Sequence, residues 1–321
     1  MPAMERLKSP EPSVAVLIPC FNESATIGDV VRSWRGALPA ARIYVFDNNS
    51  TDDSARLARE AGALVRAEPR QGKGNVVRRM FADVDADLYL LVDGDGTYDA
   101  SAAPALISRM VEGEFDMVTA ARKPVDANSY RPGHRFGNRA LTCIVAQVFG
   151  KPITDLLSGY RALSRRFVKS FPALSSGFEI ETELSVHALE LGIPFCEVET
   201  RYFARPGGSQ SKLSAFRDGW RILMTIVKLV KGERPLAFFT TIAALAAIPA
   251  LIIGVQLWLT FVETGLVPRF PSAILATGLM LTAFLSLVCG LVLDTVTRGR
   301  QEMKRLAYLS WPSFEAAKQR V

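Results

Sequence analysis

Two carboxylates separated by one glycine follow a short apolar run, Leu88 to Val92, in the sequence Asp93-Gly94-Asp95. The run predicts a buried strand, and open α/β sheets bind ligands at the carboxyl ends of their strands. Asp93 and Asp95 there would suit a hard divalent cation, Mg²⁺ or Mn²⁺, which completes its shell with phosphate oxygens of a substrate. Gly94 would let the backbone approach that substrate closely. Taken alone, the motif fits equally a glycine-rich turn carrying two solvated acids.

Similar polar segments follow the other predicted strands. Strand and helix patterns alternate from Val14 to about Ala120, which predicts an α/β fold with a mostly parallel sheet and helices on both faces. The polar segments then fall at strand carboxyl ends or helix N-termini, as is typical of a nucleotide-phosphate site. They are Pro19-Cys-Phe-Asn22-Glu23 after the strand 14–18, Asp47-Asn-Asn-Ser-Thr-Asp52 after the strand 43–46, and Arg70-Gln-Gly72-Lys73-Gly74-Asn75 before a helix.

Two common nucleotide motifs are missing from the sequence. No G-x-G-x-x-G follows the first strand, and no G-x-x-x-x-G-K-[ST] occurs. Neither dinucleotide binding nor P-loop chemistry is therefore indicated.

Taken together and in this order, the four polar motifs resemble the N-terminal half of the family 2 glycosyltransferases, whose fold is the Rossmann-like GT-A fold. Asp155-Leu-Leu-Ser158-Gly-Tyr160 and Ser211-Lys212-Leu213 resemble the polyprenyl-phosphate branch, which includes dolichol-phosphate mannose synthase. The resemblance spans roughly residues 14–213. Two positions depart from the family pattern, with Asn48 where members often carry an acid and Thr97 where the synthase often has Gln.

The resemblance implies an inverting transferase that uses a divalent metal and a nucleotide-sugar donor. The implied metal ligands are Asp93 and Asp95. The implied donor-binding residues are Pro19, Asn22, Glu23, Asp47, Gly72, Lys73, Asp93, Gly94 and Asp95. The residues expected to hold an acceptor phosphate are Arg122, His134, Arg135, Asn138, Arg139, Ser158, Arg205 and Lys212.

The acceptor decides whether the reaction needs a base. A hydroxyl acceptor must lose a proton, whereas a phosphate monoester is already ionised near neutral pH and needs cations to hold it. Three acids, Glu179, Glu181 and Glu183, leave this question open: at least one is expected to line the sugar pocket, and a catalytic base is the alternative. Asp95, Arg122 and Glu181 are the predicted catalytic residues. The Q-x-x-R-W signature of processive synthases is absent after these acids, which favours transfer of a single sugar.

Two long apolar segments, 236–262 and 272–293, are free of charged residues. Each is long enough to cross a hydrocarbon core of about 30 Å, although two buried helices of a soluble domain would also fit. Basic residues precede and follow the pair of segments, so the positive-inside rule predicts that both ends of the pair lie in the cytoplasm. Residues 1–13 do not resemble a signal peptide, so the catalytic domain is also expected in the cytoplasm.

Between the two regions, residues 211–234 predict a basic amphipathic helix. Its apolar stripe has helical spacing, and arginines and lysines lie beside it, as expected for a helix in the interface of an anionic membrane. A core helix or a self-association seam, and hence a homo-oligomer, is the alternative. The stripe is Leu213, Phe216, Trp220, Leu223, Val227 and Val230.

These observations divide the chain into a polar tail (1–13), a GT-A domain (14–210), the amphipathic helix (211–234), a transmembrane hairpin (235–293) and a basic cytoplasmic tail (294–321). The chain has a net charge of +6, and its excess basic residues cluster around the membrane segments. This position favours anionic lipid and phosphate over nucleic acid as binding partners. The four cysteines have no paired spacing, which favours reduced thiols over a zinc or disulfide framework.

Three functions fit the sequence. The leading one transfers one sugar from a UDP- or GDP-linked donor to a polyprenyl phosphate at the cytoplasmic membrane face. The second transfers it to a lipid hydroxyl such as ceramide or diacylglycerol. The third is a non-catalytic membrane scaffold, against which the intact Asp93/Asp95 pair counts.

Overall fold

The computed structural model describes residues 12–125, 142, 145, 146, 153–205, 224, 227, 228 and 230–313. The chain divides into two compact units. We call Met1–Gly219 together with Lys304–Val321 the sheet unit, and Trp220–Met303 the hairpin unit.

Within its described residues the sheet unit contains one seven-stranded sheet, in the order β3-β2-β1-β4-β6-β5-β7. The pairs β1–β2, β2–β3, β1–β4 and β5–β7 are parallel, and β6 pairs antiparallel with both β4 and β5. The predicted mostly parallel α/β sheet is confirmed, with one antiparallel strand inserted. The strands are β1 (Val14–Cys20), β2 (Arg42–Asp47), β3 (Leu64–Ala67), β4 (Leu88–Leu91), β5 (Met117–Pro124), β6 (Arg161–Ser164) and β7 (Phe195–Tyr202).

Helices cover both faces of this sheet. Alternate residues of a strand point to opposite faces, and here the residues on both faces are apolar and buried. In β1, Val16 and Ile18 join the core beneath α1 and α4, whereas Leu17 joins the core beneath α3, α5 and α6. The helices are α1 (Ile27–Ala37), α2 (Ser54–Glu60), α3 (Lys73–Asp83), α4 (Ala103–Glu112), α5 (Arg165–Ser170) and α6 (Ile180–Leu191).

The parallel arrangement of β1, β2 and β4 brings their carboxyl ends to one edge of the sheet. Cys20, the last residue of β1, lies opposite Asp47, the last residue of β2. Leu91 of β4 pairs with Leu17 of β1, so the Asp93-Gly94-Asp95 loop leaves the sheet at the same edge. The polar segments singled out in the sequence therefore converge there.

The hairpin unit contains two long apolar helices, α7 (Pro235–Thr264) and the greater part of α8 (Phe270–Leu309). Both are long and apolar enough to cross a membrane, with peak mean hydropathies of 2.4 and 2.2. They contain the predicted spans 236–262 and 272–293. Gly290 of α8 permits close packing, because a Cβ there would lie 3.0 Å from Cβ of Phe239 in α7.

The second helix does not end with its apolar segment. No proline interrupts residues 294–309, and α8 continues through them. The predicted boundary of a separate tail at residue 294 therefore does not coincide with a structural boundary. Of the predicted amphipathic helix, residues 224, 227, 228 and 230–233 are helical, and the others before residue 234 lie outside the described residues.

Residues 304–313, which we call the return segment, belong to the sheet unit. The ammonium group of Lys304 lies 2.6 Å from the carboxylate of Glu190 in α6. The hydroxyl of Tyr308 donates to Asp116 at 2.6 Å, and the Arg166 guanidinium stacks on the Tyr308 ring. These contacts make part of the predicted basic tail an integral piece of this unit.

Candidate active site

The loop after β4 carries two carboxylates in different surroundings. Asp95 is 5% exposed, and its Oδ1 accepts hydrogen bonds from the backbone N–H and the hydroxyl of Thr97. Its Oδ2 lies 2.7 Å from Nη2 of Arg205. Burial and the neighbouring charge of Asp93 raise the pKa of Asp95. Thr97 thus orients Asp95, and Arg205 supplies a positive charge to its second oxygen.

Lys73, the first residue of α3, joins the other loop carboxylate to α6. Its ammonium group lies 2.5 Å from Asp93 and 2.5 Å from Glu181, and its side chain is only 7% exposed. Burial alone would lower the pKa of Lys73, but the two carboxylates outweigh burial and raise the pKa above its ordinary value. Burial has the opposite effect on a carboxyl group: it raises the pKa of Glu181, and the charge of Lys73 opposes that rise. The three side chains form an acid–base–acid bridge at the edge of the sheet, in which Lys73 and Glu181 are buried and Asp93 is half-buried.

The structure gives the three acids of this segment different partners. Glu181 contacts Lys73, whereas the carboxylate of Glu183 accepts the backbone N–H groups of Leu174 and Ser175 at 2.8 Å each. Glu179 is exposed. Of the three, Glu181 is therefore the acid that contacts Lys73 at the site, and Glu183 holds the loop before α6.

The glycines flanking Lys73 serve packing between loops. The N–H groups of Gly74 and Asn75 donate to the carbonyl of Ser176, and a Cβ on Gly72 would lie 2.2 Å from that oxygen. Gly72 also has φ +129°, which other residues rarely adopt. These amides therefore have protein acceptors, and Lys73 is the group that this turn contributes to the chemistry. Donor binding by Gly72 stays a prediction.

Asn48 holds the turn before α3 in place. It is buried, and its amide donates to the carbonyls of Glu68 and Arg70 at 2.8 Å each while its Oδ1 accepts from the N–H of Gly72 at 2.7 Å. An acid, common at this position in the family that the sequence resembles, could accept the last bond but could not donate the other two. The departure at residue 48 thus has a structural reason.

Asp47, beside Asn48, has one carboxylate oxygen without a hydrogen-bond partner among the described residues. Its Oδ2 accepts from the N–H of Ser50 at 3.3 Å, whereas its Oδ1 is buried and has no hydrogen-bond partner among the described residues. Buried acceptors normally have a donor, so this oxygen suits an N–H or O–H of a bound molecule. A base or ribose of a nucleotide offers such donors.

The turn after β1 is tied to the turn after β2. Asn22, at φ +51°, accepts the N–H of Thr51 at 2.7 Å, and its own N–H donates to the hydroxyl of Ser50. The N–H of Glu23 donates to the hydroxyl of Ser54 at 2.8 Å. Asn22 and Glu23 thus stand beside Asp47, as expected for parts of one site.

Gly94 lets the loop after β4 pack against the turn after β1. A Cβ at this position would lie 3.4 Å from the carbonyl of Pro19 and from the side chains of Ile18 and Ile27. The carbonyl of Gly94 accepts from the hydroxyl of Thr26 at 2.8 Å. Pro19 and Gly94 therefore meet at this edge of the sheet through the backbone.

Arg122, near the end of β5, is held by a bidentate pair with Asp155. Its Nε and Nη2 each lie 2.7 Å from a carboxylate oxygen, and its backbone N–H donates to the same side chain at 3.1 Å. The guanidinium also stacks on the ring of Tyr202, 5.5 Å from its centre. The Asp155 motif thus orients a cation near the carboxyl end of the sheet.

Ser158 of the same motif is a correction. We expected it among the residues that hold an acceptor phosphate, but it is fully buried and its hydroxyl donates to the carbonyl of Ala120 at 2.6 Å. Its hydroxyl fastens the loop before β6 to β5, so it is not presented to a ligand.

Two residues near the site escaped the sequence reasoning. Arg161 opens β6, is fully buried, and donates to the carbonyls of Leu156, Ser158 and Glu181. A Cβ on Gly159 would lie 2.4 Å from Oδ2 of Asp93, so only glycine leaves room for that carboxylate. The one available signal for Gly159 was its position within the Asp155–Tyr160 motif.

The other predicted acceptor residues lie outside the described residues: His134, Arg135, Asn138, Arg139 and Lys212. Arg205 is described, and it contacts Asp95.

The carboxylate pair fits a divalent metal that takes few protein ligands. Among the described residues no group of three or more histidines, cysteines or acids could hold an ion. Mg²⁺ or Mn²⁺ needs only one or two carboxylates when substrate phosphates complete the shell. Asp93 and Asp95 each already face a cationic side chain, Lys73 and Arg205, which indicates a site suited to positive charge.

Comparison with known proteins agrees with this geometry. Residues 15–171 match Glycosyl transferase family 2. The chain is 32% identical over 304 residues to glycosyltransferase AglJ of Haloferax volcanii, covering 92% of this chain and 98% of that protein. It is 26% identical over 221 residues to a dolichyl-phosphate hexose transferase of the same organism, covering 69% and 95% of the two chains.

Solved structures share the fold. A glucosyl-3-phosphoglycerate synthase of Mycobacterium tuberculosis, crystallised with Mn²⁺, UDP and glucosyl-3-phosphoglycerate, superposes with a TM-score of 0.56 at 22% identity. The match covers 69% of this chain and 80% of that one. The family match agrees with the relative that matches along nearly its whole length. Both agree with a sheet whose edge carries acids and cations. This chain belongs to glycosyltransferase family 2.

Proposed function

We propose that this glycosyltransferase moves one sugar from a nucleotide-sugar to a polyprenyl phosphate at a membrane, with Mg²⁺ or Mn²⁺ bound by Asp93 and Asp95. The observation that carries the proposal is the pairing of acids with cations around the site. Asp93 and Glu181 share Lys73, Asp95 faces Arg205, and Asp155 binds Arg122.

This pairing favours an ionised acceptor over a hydroxyl. A general base must present an acceptor oxygen to the proton that it removes. Here Glu181, a predicted catalytic residue, is buried, and its carboxylate is bound to the ammonium group of Lys73. A phosphate monoester requires no such base and is held by cations instead.

In the proposed reaction an oxygen of the acceptor phosphate attacks the anomeric carbon, and the bond from that carbon to the nucleoside diphosphate breaks. No proton is transferred, and a single displacement inverts the anomeric configuration. Arg122 and Arg205 hold the acceptor phosphate, and Lys73 adds positive charge near the leaving group. The metal, when bound, neutralises charge that develops on the leaving diphosphate. Asp47 accepts a hydrogen bond from the base or ribose of the donor.

The membrane assignment supports a lipid acceptor. Two helices of the hairpin unit are apolar enough to span a bilayer, and one relative is named a dolichyl-phosphate hexose transferase. With the positive-inside rule, the sheet unit and both termini are cytoplasmic, where nucleotide-sugars are made. Basic residues flanking the hairpin bind anionic lipid.

The test is a transfer assay with the detergent-solubilised full-length protein. UDP- and GDP-sugars are supplied with Mn²⁺, and a short polyprenyl phosphate is compared with the matching polyprenol. We expect transfer to the phosphate alone, loss of transfer in Asp95→Asn, and measurable residual transfer in Glu181→Gln with an unchanged pH profile. Equal use of polyprenol, together with loss of the acidic limb of the pH profile in Glu181→Gln, would instead identify a hydroxyl acceptor with Glu181 as base.

A further inference from the structure

Each of the two proposed metal-binding aspartates faces a cation of the protein itself. The two cations differ in how firmly they are held. Lys73 is 7% exposed and lies between two carboxylates, Asp93 and Glu181. Arg205 is 35% exposed and follows the end of β7 by three residues. Arg205 is therefore the cation more easily moved away from its acid.

The carboxylate of Asp95 has one oxygen for two possible cations, the guanidinium of Arg205 and a divalent metal ion. Its Oδ1 already accepts two hydrogen bonds from Thr97, and its Oδ2 faces the Arg205 guanidinium at 2.7 Å. A divalent ion on Oδ2 would stand within a few ångströms of that guanidinium, and like charges at this range repel. Metal and Arg205 therefore compete for the same oxygen.

We propose that Arg205 is an exchangeable cation of the site. It neutralises Asp95 before the metal and donor bind, the metal displaces it, and the released guanidinium then binds the acceptor phosphate. The second half rests on the proposed function. Binding would then be ordered, because the metal-bound donor must arrive before Arg205 becomes available to the acceptor.

The exchange has a consequence opposite to that of a structural ion pair. If Arg205 only stabilised the fold around Asp95, its removal would weaken metal binding by loosening the carboxylate. If Arg205 competes with the metal, its removal frees Asp95 and strengthens metal binding. The same substitution should impair use of an acceptor phosphate, since one of its charged contacts is lost.

The first measurement needs no substrate. Binding of Mn²⁺ to the full-length protein, without nucleotide, is titrated by electron paramagnetic resonance for wild type, Arg205→Gln and Arg205→Lys. Arg201→Gln is the matched control, because Arg201 is an exposed arginine near the end of β7, shortly before Arg205 in the chain. We expect Arg205→Gln to bind Mn²⁺ about tenfold more tightly than wild type, with Arg205→Lys and Arg201→Gln within about twofold of it. Asp95→Asn in the Arg205→Gln background should abolish the gain. Circular dichroism and the thermal midpoint of each variant report folding.

A second measurement tests whether Arg205, once released from Asp95, binds the acceptor phosphate. The KM for a short polyprenyl phosphate should rise at least tenfold in Arg205→Gln and stay near the wild-type value in Arg201→Gln. Unchanged or weaker Mn²⁺ binding in a folded Arg205→Gln protein would refute the exchange whatever the substrate is. Tighter Mn²⁺ binding with an unchanged KM would refute the release to the acceptor. Tighter Mn²⁺ binding in Arg205→Gln than in wild type, combined with a wild type that transfers no sugar to any polyprenyl phosphate, would support the exchange and overturn the proposed function.

Discussion

Replacing Asn48 by aspartate tests how the site is positioned, since the two side chains have nearly the same shape. Asn48 is 4% exposed and makes three short hydrogen bonds, two as donor and one as acceptor. Aspartate keeps the bond from Gly72 and turns both donor contacts into contacts between a carboxylate and a carbonyl. An unsatisfied buried group costs about 1–3 kcal/mol, so the buried carbonyl of Glu68 alone predicts a loss of that size, and the part-buried carbonyl of Arg70 adds less.

A pH dependence accompanies this loss. The two carbonyls would raise the pKa of the new carboxyl group in the folded state, so the native variant would bind more protons than its unfolded chain. Stability of the variant must then rise as pH falls, because the state that binds more protons is favoured at low pH. The difference in stability between Asn48→Asp and wild type should accordingly narrow from pH 8 towards pH 5.

The assay is thermal and urea unfolding of the detergent-solubilised protein at several pH values. Asn49→Asp is the matched control, because Asn49 is the exposed neighbour with one bond to the carbonyl of Pro69. We expect the control to lose less than about 1 kcal/mol. We also expect the KM for the donor to rise in Asn48→Asp, since Lys73 follows the loop that Asn48 holds. A variant as stable as the control at pH 8 would refute the assigned role of Asn48.

Three further outcomes are expected. Arg122→Gln should raise the KM for polyprenyl phosphate by about ten- to a hundredfold, the value of a charge-assisted hydrogen bond, while donor affinity measured by calorimetry stays constant; an unchanged acceptor KM would count against its role. Gly159→Ala should weaken Mn²⁺ binding at least tenfold, since the new Cβ would overlap Asp93, whereas Gly36→Ala, which meets nothing within 4 Å, should not; equal Mn²⁺ titrations would contradict the overlap. His187 is buried between aromatic rings, and burial lowers its pKa to about 3, so the stability it contributes above pH 6.5 is lost as pH falls, by about 1.4 kcal/mol per pH unit. His187→Leu should flatten the stability profile between pH 6.5 and pH 5 in urea unfolding, and parallel profiles would show that His187 does not titrate as described.

The sequence predicted the strands that end at the site because each is an apolar run closed by polar residues. Leu88 to Val92 and Ala15 to Ile18 are buried on both faces, and such runs are recognisable without a structure. The antiparallel strand β6 was not predicted, since it begins with a charged residue, Arg161. Burial of that arginine depends on the carbonyls of Leu156 and Ser158 in the loop just before it and of Glu181 in α6, and a sequence pattern does not report backbone acceptors.

The site was predicted in its residue types more than in their partners. Asp93, Asp95 and Lys73 meet at the expected edge, because strand ends determine where they emerge. Which of three neighbouring acids faces Lys73 depends on the rotation of α6 about its axis, and the sequence leaves that open. Gly72 was expected to contact phosphate, but glycine serves a close approach of two loops equally well, and one sequence does not distinguish these uses.

The return segment makes the sheet unit discontinuous along the chain, with consequences for how the protein is synthesised. Without residues 304–313, the fully buried carboxylate of Glu190 would lose Lys304, and Asp116 would lose the hydroxyl of Tyr308. A chain that ends before the hairpin therefore lacks part of the sheet unit. During translation the sheet unit cannot finish folding until both apolar helices have left the ribosome, so completion of the sheet unit follows synthesis of the hairpin unit.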